Sequence, residues 1–266
     1  MYPRSVKKGA LHELSCSGSC EKTLELLTEN TDYVYFEESE QDIGEDVGVD
    51  SNITTAEQMK KRRLSIEHMR ERSKTLCERF YAIGQLMNDD LPDMNEINPT
   101  IGENEFLSLI RIIKRFEHMS DALRQCVPLA LKNIGISEDT PLEGNTLHDA
   151  LKKYSAAKEH LFSVLPDADI YFEKIMINHI FYEQFPYTHP EVETKEAFIA
   201  LCTAYIIIRF LSVCYMANKS EKSDFIRVIA SSFRFIEHTN FYRNAVIVMH
   251  QEELGDIKHI LPLLSI

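Results

Sequence analysis

Apolar residues recur three and four apart along most of the chain, the spacing that turns one face of a helix toward a core. Ile66, Met69, Leu76, Phe80 and Ile83 follow this rule, with arginines and lysines filling much of the opposite face. They predict one long helix from about Thr55 to Met87. Phe106, Leu109, Ile110, Ile113 and Phe116 make a broad stripe that predicts a helix over 103–127, bent or ended by Pro128, which has no N–H to donate. Leu147, Leu151, Tyr154 and Leu161 predict a helix over 144–165. The periodicity resumes after Pro166 and runs to Pro186. It continues over about 191–217, 221–238 and 239–252, with a short last helix over 255–264.

The beginning of the chain is patterned differently. Small turns are expected at Gly9 and Gly18, ahead of a short helix in "SCEKTLELLTEN" with Ser19 as its cap and Asn30 as its close. "DYVYFEES" is the strand-like run. Residues 37–57 are acidic, contain no basic side chain and have little apolar surface to bury, so a mobile loop is expected there. The fold class is therefore all-α, an irregular multi-helix bundle with one short extended segment near the N-terminus. The organisation is a single domain over 1–266, with an N-terminal appendage at 1–36, the acidic loop at 37–57 and a helical body at 58–266.

The most apolar stretch, "AFIALCTAYIIIRFLSVCYMA" over 197–217, is long enough to raise the question of a membrane span. Arg209 falls near its middle, and Thr203, Tyr205 and Ser212 add polarity, so it reads as the central helix of a soluble bundle. No membrane association is expected. The formal charge of -13 argues against sequence-independent nucleic-acid binding, which needs a cationic surface. Lys60–Lys61–Arg62–Arg63 shares its helix with Glu67 and Glu71 and reads as a solvated face. The first residues carry charge without an apolar run, which predicts a cytoplasmic, reducing location. Cys77, Cys126, Cys202 and Cys214 sit in apolar helical contexts and are expected to behave as small buried hydrophobes.

Few chemical motifs stand out. There is no HExxH pair for zinc, no glycine-rich phosphate loop and no nucleophile elbow. Cys16 and Cys20, in "CSGSC", are the nearest approach to a metal-ligand pair for iron or zinc, but two thiols need partners and His12 does not complete a set of four. On 231–250, Arg234 precedes Glu237 by three residues and His238 by four, so all three share one side of a helix. They are either a ligand or catalytic cluster or a link between helices, in which Arg209 of the central helix pairs with Glu237. Asn178 and Tyr182 share a face of the helix that also carries Glu173, with Asn178 read as satisfying a loop backbone.

Three segments, "FEKIMINHIFYEQFPY", "AYIIIRFL" and "IASSFRFIEHTNFY", resemble in order and spacing the C-terminal half of the bacterial flagellin lysine-N-methylase family. Its pattern is E-x(4)-N-x-x-F-x(3)-F-P-F, an apolar helix with arginine, then S-F-S-R-x-x-E-H. Glu173, Asn178, Phe181, Phe185, Pro186, Arg209, Ser232, Phe233, Arg234, Glu237 and His238 occupy those positions. Tyr187 replaces phenylalanine, and S-S-F-R at 231–234 departs from S-F-S-R by one residue. "MYPRSVKKG" resembles the family's Y-P-R segment, and Cys20 matches the cysteine of S-C-P-E-A-A-R, with Glu21 in place of proline.

The resemblance implies methylation of flagellin lysines with S-adenosylmethionine. It also implies an iron-sulfur centre in a cysteine-rich region upstream of Y-P-R in longer forms, so that this chain would be the portion C-terminal to it. Glu237 with His238 or Tyr182 would then handle the lysine proton, with Arg209, Arg234, Asn178 and Glu173 as a substrate or structural cluster. The alternative readings are a noncatalytic helical module that binds a protein partner, and a structural protein.

Overall fold

The computed structural model describes residues 4–8, 11–15, 17–29, 31–32, 55–88, 91, 93–94, 101–187 and 192–266. The described chain is essentially all-helical, an irregular bundle preceded by one small hairpin. The hairpin pairs β1 (Arg4–Lys8) with β2 (Leu11–Ser15), antiparallel, with Arg4 opposite Ser15 and Lys8 opposite Leu11. These strands fall where turns alone were expected. The strand-like "DYVYFEES" lies outside the described residues apart from its first, Asp32, as does the acidic loop except for Thr55–Glu57, which open a helix.

Helix α1 (Glu21–Thr28) has Cys20, and not Ser19, as its N-cap. The long helix expected over 55–87 is two: α2 (Thr55–Met69) and α3 (Leu76–Met87). Thr75 divides them. Its hydroxyl accepts the Glu78 N–H at 3.3 Å while the Glu78 carboxylate accepts the Thr75 N–H at 2.6 Å, a reciprocal cap that starts a new helix. The helix expected over 103–127 also divides, into α4 (Glu103–Glu117) and α5 (Asp121–Asn133), at Ser120. Pro128 does not end that pattern; it lies inside α5, where it removes a single i to i−4 bond. Helix α5 closes at Gly135, whose φ of +85 is left-handed, with Ile136 N–H returning to the Leu131 carbonyl at 2.9 Å.

The remaining helices follow the pattern closely. They are α6 (Gly144–Val164), α7 (Ala168–Tyr182), α8 (Thr194–Met216), α9 (Lys222–His238), α10 (Phe241–Gln251) and α11 (Ile257–Ile260), which runs into a closing 3₁₀ helix (Leu261–Ser265). The turn after α7 contains a cis Phe185–Pro186 peptide.

Helix α8 is the axis of the bundle. Every residue from Ala197 to Met216 is buried, and α3, α5, α6, α9, α10 and the closing 3₁₀ helix pack around it. It is the one described helix long and apolar enough to cross a membrane, and the protein covers its whole apolar window. Each Ile, Leu or Phe so buried contributes about 1.5–3 kcal/mol relative to exposure. Aromatic rings knit the layers: Phe80 meets Tyr205 with centroids 4.7 Å apart, and Tyr154 stacks on Phe210 at 5.4 Å.

Candidate functional site

The structure sorts the residues singled out in the sequence into two places. One is centred on Glu173. This carboxylate is 1% exposed on α7, and two arginines from the α2–α3 turn and α3 meet it there. Arg72 donates from Nε at 2.9 Å and from its terminal nitrogen at 2.8 Å, while Arg79 donates at 2.9 Å. Arg79 also donates to the carbonyls of Lys74 at 2.9 Å and Met69 at 3.1 Å, and Arg72 to that of Thr31 at 2.8 Å. The turn between α2 and α3, the end of α1 and α7 are thereby joined through one buried acid. An arginine expected on the solvent face, Arg79, is instead 7% exposed.

Beside this acid opens a cavity of about 760 Å³, lined from the start of α3, from α6, α7 and α8, and from the closing 3₁₀ helix. Arg209 reaches it from the middle of α8. Its guanidinium pairs with Asp169 of α7 at 2.5 Å and donates to the main-chain oxygen of Ile266. The cation also lies over Phe172 at 5.2 Å, Phe162 at 5.5 Å and Tyr205 at 5.8 Å, contacts that suit a desolvated arginine. Arg209 therefore does not pair with Glu237 as expected. An apolar helix can bury an arginine when carboxylate, carbonyl and ring faces replace its water.

The second place is the outer end of α9. Both Glu237 oxygens are engaged by the turn ahead of α1: Ser17 Oγ donates to one, and the Gly18 N–H donates to the other at 2.7 Å. Within the turn, the Ser19 N–H donates to Ser17 Oγ at 3.1 Å and the Cys20 N–H to the Ser17 carbonyl at 3.2 Å. Gly18 lies flat on Phe233; a Cβ there would stand 2.6 Å from the ring, so only glycine permits this approach. Arg234, exposed, reaches Glu21 at 3.3 Å. His238 is exposed at the end of α9. Arg234, Glu237 and His238 thus share a helical side without pairing with one another, and two of them hold the N-terminal turn.

Behind Phe233 sits His179 of α7, edge-on at 5.3 Å. It is 1% exposed, neither ring nitrogen has a hydrogen-bond partner among the described residues, and burial pushes its pKa down to about 4. Asn178 is buried beside it in the chain, and Tyr182 is half-buried at the last residue of α7. The turn held by Glu237 delivers Cys20, exposed, to the N-terminus of α1. The Thr23 amide and hydroxyl facing its sulfur draw this thiol below its ordinary pKa. Burial drives the other described thiols upward, Cys77 to about 11 and Cys126 to about 12.

Cys16 lies outside the described residues. Among the described residues no three His, Cys, Asp or Glu side chains gather as a metal-ion group. Arg72, Arg79, Asp169 and Lys158 were not anticipated as parts of a site. The signal for the first two was Thr75-x-x-Glu78, a capping box that breaks the long helix and turns Arg72 and Arg79 inward. Asp169 and Lys158 gave no local signal.

The residues that carry the family resemblance thus mark two structural junctions, Glu173 and Arg209 at the cavity and Phe233, Arg234 and Glu237 at the cysteine turn. The chain matches the FliB lysine N-methylase C-terminal domain over residues 62–263. No curated protein and no solved structure gives a significant match. With that match spanning most of its length, the chain belongs to the FliB lysine N-methylase family.

Proposed function

We propose that the chain serves the methylation of flagellin lysines as a helical platform that fixes a cysteine-bearing N-terminal turn in position, and that it does so in the cytoplasm. The observation that carries this reading is the grip of Glu237 on Ser17 and Gly18, three and two residues before Cys20. Hydrogen bonds to a carboxylate contribute about 1.5–3 kcal/mol each. Two of them, with Gly18 against Phe233, are enough to hold a short turn in one place.

In this reading Glu237 is a positioning residue, since both its oxygens already accept hydrogen bonds. S-adenosylmethionine would supply an electrophilic methyl group, and the lysine must be neutral to attack it. Among the residues named from the sequence, His238 is exposed and open to a substrate proton, while Tyr182 is half-buried. Arg234 and Glu21 form the exposed rim of the same junction, where a flagellin segment would dock.

The test is the intact mass of flagellin after incubation with S-adenosylmethionine and either this chain or a version extended upstream. Addition of methyl masses by the extended version, with a large loss in Glu237→Gln, supports the platform reading. Full activity in Glu237→Gln overturns the positioning role. Methylation by neither version overturns the function itself.

A further inference from the structure

We propose that the cavity between α3, α6, α7, α8 and the closing 3₁₀ helix binds a small organic oxyanion, a phosphomonoester or polycarboxylate. The volume of about 760 Å³ is that of a small-molecule site. Its wall carries Arg72, Lys74, Arg79, Lys158 and Arg209 against only Asp169 and Glu173, an excess of three positive charges. The protein around it has a formal charge of -13. Setting Lys74 aside, because it pairs with Glu71 at 2.5 Å, still leaves the lining cationic.

The placement of these charges adds to the count. Glu173 is fully occupied by its two arginines, so it presents no free acceptor to the cavity. Among the described residues no carboxylate pairs with Lys158; its Nζ donates to the Ser265 carbonyl at 2.8 Å. Burial, followed by the neighbouring Arg209, holds its pKa below the ordinary lysine value, as expected of a cation short of counter-charge. Leu76 and Cys77, which also line the cavity, are the first two residues of α3, and their N–H groups precede the first intrahelical bond, from Arg79 to the Thr75 carbonyl.

Tyr205 adds a donor at the cavity wall. It is buried, its hydroxyl lies beside Arg209 without a hydrogen bond of good geometry, and burial keeps it protonated. An oxyanion would satisfy Lys158, Tyr205 and the α3 amides together, while Phe162, Ile170 and Leu264 offer apolar wall to its organic part. The same field repels the sulfonium of S-adenosylmethionine and a lysine ammonium. The proposal does not rest on methyl transfer, and its test does not depend on that reading.

The test is calorimetric titration of the folded chain at low ionic strength with AMP, citrate, inorganic phosphate and S-adenosylmethionine. AMP or citrate binds, weakens with added salt, loses about ten-fold in affinity in Lys158→Gln and recovers in Lys158→Arg. Circular dichroism of each variant separates lost binding from lost fold. AMP binding without citrate identifies a phosphomonoester, and the reverse a polycarboxylate. Absence of binding by every anion overturns the proposal, as does unchanged affinity in folded Lys158→Gln. Binding of S-adenosylmethionine in preference to the anions, abolished by the same substitution, also overturns it and makes the cavity the donor site.

Discussion

Replacing Glu173 by alanine removes the acid shared by Arg72 and Arg79, and the cost follows from what each arginine is left with. Arg79 is 8% exposed at its side chain and keeps only the carbonyls of Lys74 and Met69. Its charge is then buried without compensation, a loss of about 3–5 kcal/mol. Arg72, at 25% exposed, turns toward water and adds little. The space vacated by the carboxylate joins a cavity already about 760 Å³ in size, so it fills with water, and the expected loss lies near the lower end, about 3 kcal/mol. Urea unfolding followed by circular dichroism measures it. The double variant Glu173→Met/Arg79→Met should recover a large part, because both charges leave together and apolar groups replace them. A loss under about 1 kcal/mol for Glu173→Ala, or a double variant as unstable as the sum of the singles, would refute the argument.

Gly18→Ala pushes a methyl into the Phe233 ring and should cost about 1–3 kcal/mol, read as a lower urea midpoint; an unchanged midpoint would show that the turn is not seated on Phe233. Among the five described cysteines, Cys20 should be alkylated first in the native protein, since it alone is exposed; peptide mass mapping after iodoacetamide decides this. His179 gives a pH dependence. Its folded pKa of about 4 lies below the usual 6.5, so between these values the unfolded chain binds the extra proton. Stability is therefore complete above about pH 6.5 and falls as pH drops toward 4, by about 3 kcal/mol in total. His179→Leu should flatten that part of the profile, and an identical slope in the variant would remove His179 as its source.

The sequence showed α6 to α10 plainly, because their apolar stripes are long and prolines or polar turns separate them. Arg209 did not disguise α8, since one charge in a 23-residue helix leaves its pattern intact. The broken helices were harder. Between Met69 and Leu76 the apolar spacing happens to continue across the turn, so periodicity alone joins α2 to α3. Thr75 and Glu78 carried the local contradiction. At Ser120 the preceding Met119 likewise masks a break.

The hairpin escaped because its two five-residue strands are short and mixed in polarity. The site was less legible for a different reason. Spacing along α9 shows that Arg234, Glu237 and His238 share a side but not what faces them, and the partners Ser17, Gly18 and Glu21 are more than two hundred residues away. Asp169 and Lys158 become neighbours of Arg209 only through the packing of α6 and α7 on α8.

That last distance has a temporal meaning. Ser17 and Glu237 are separated by 220 positions, and at about 5–20 residues per second the ribosome needs roughly 10–45 s to pass from one to the other. For that interval the turn bearing Cys20 exists without the carboxylate and the ring that shape it. The cysteine segment is synthesised well before the helix that seats it, so its geometry can report that the helical body behind it has been made.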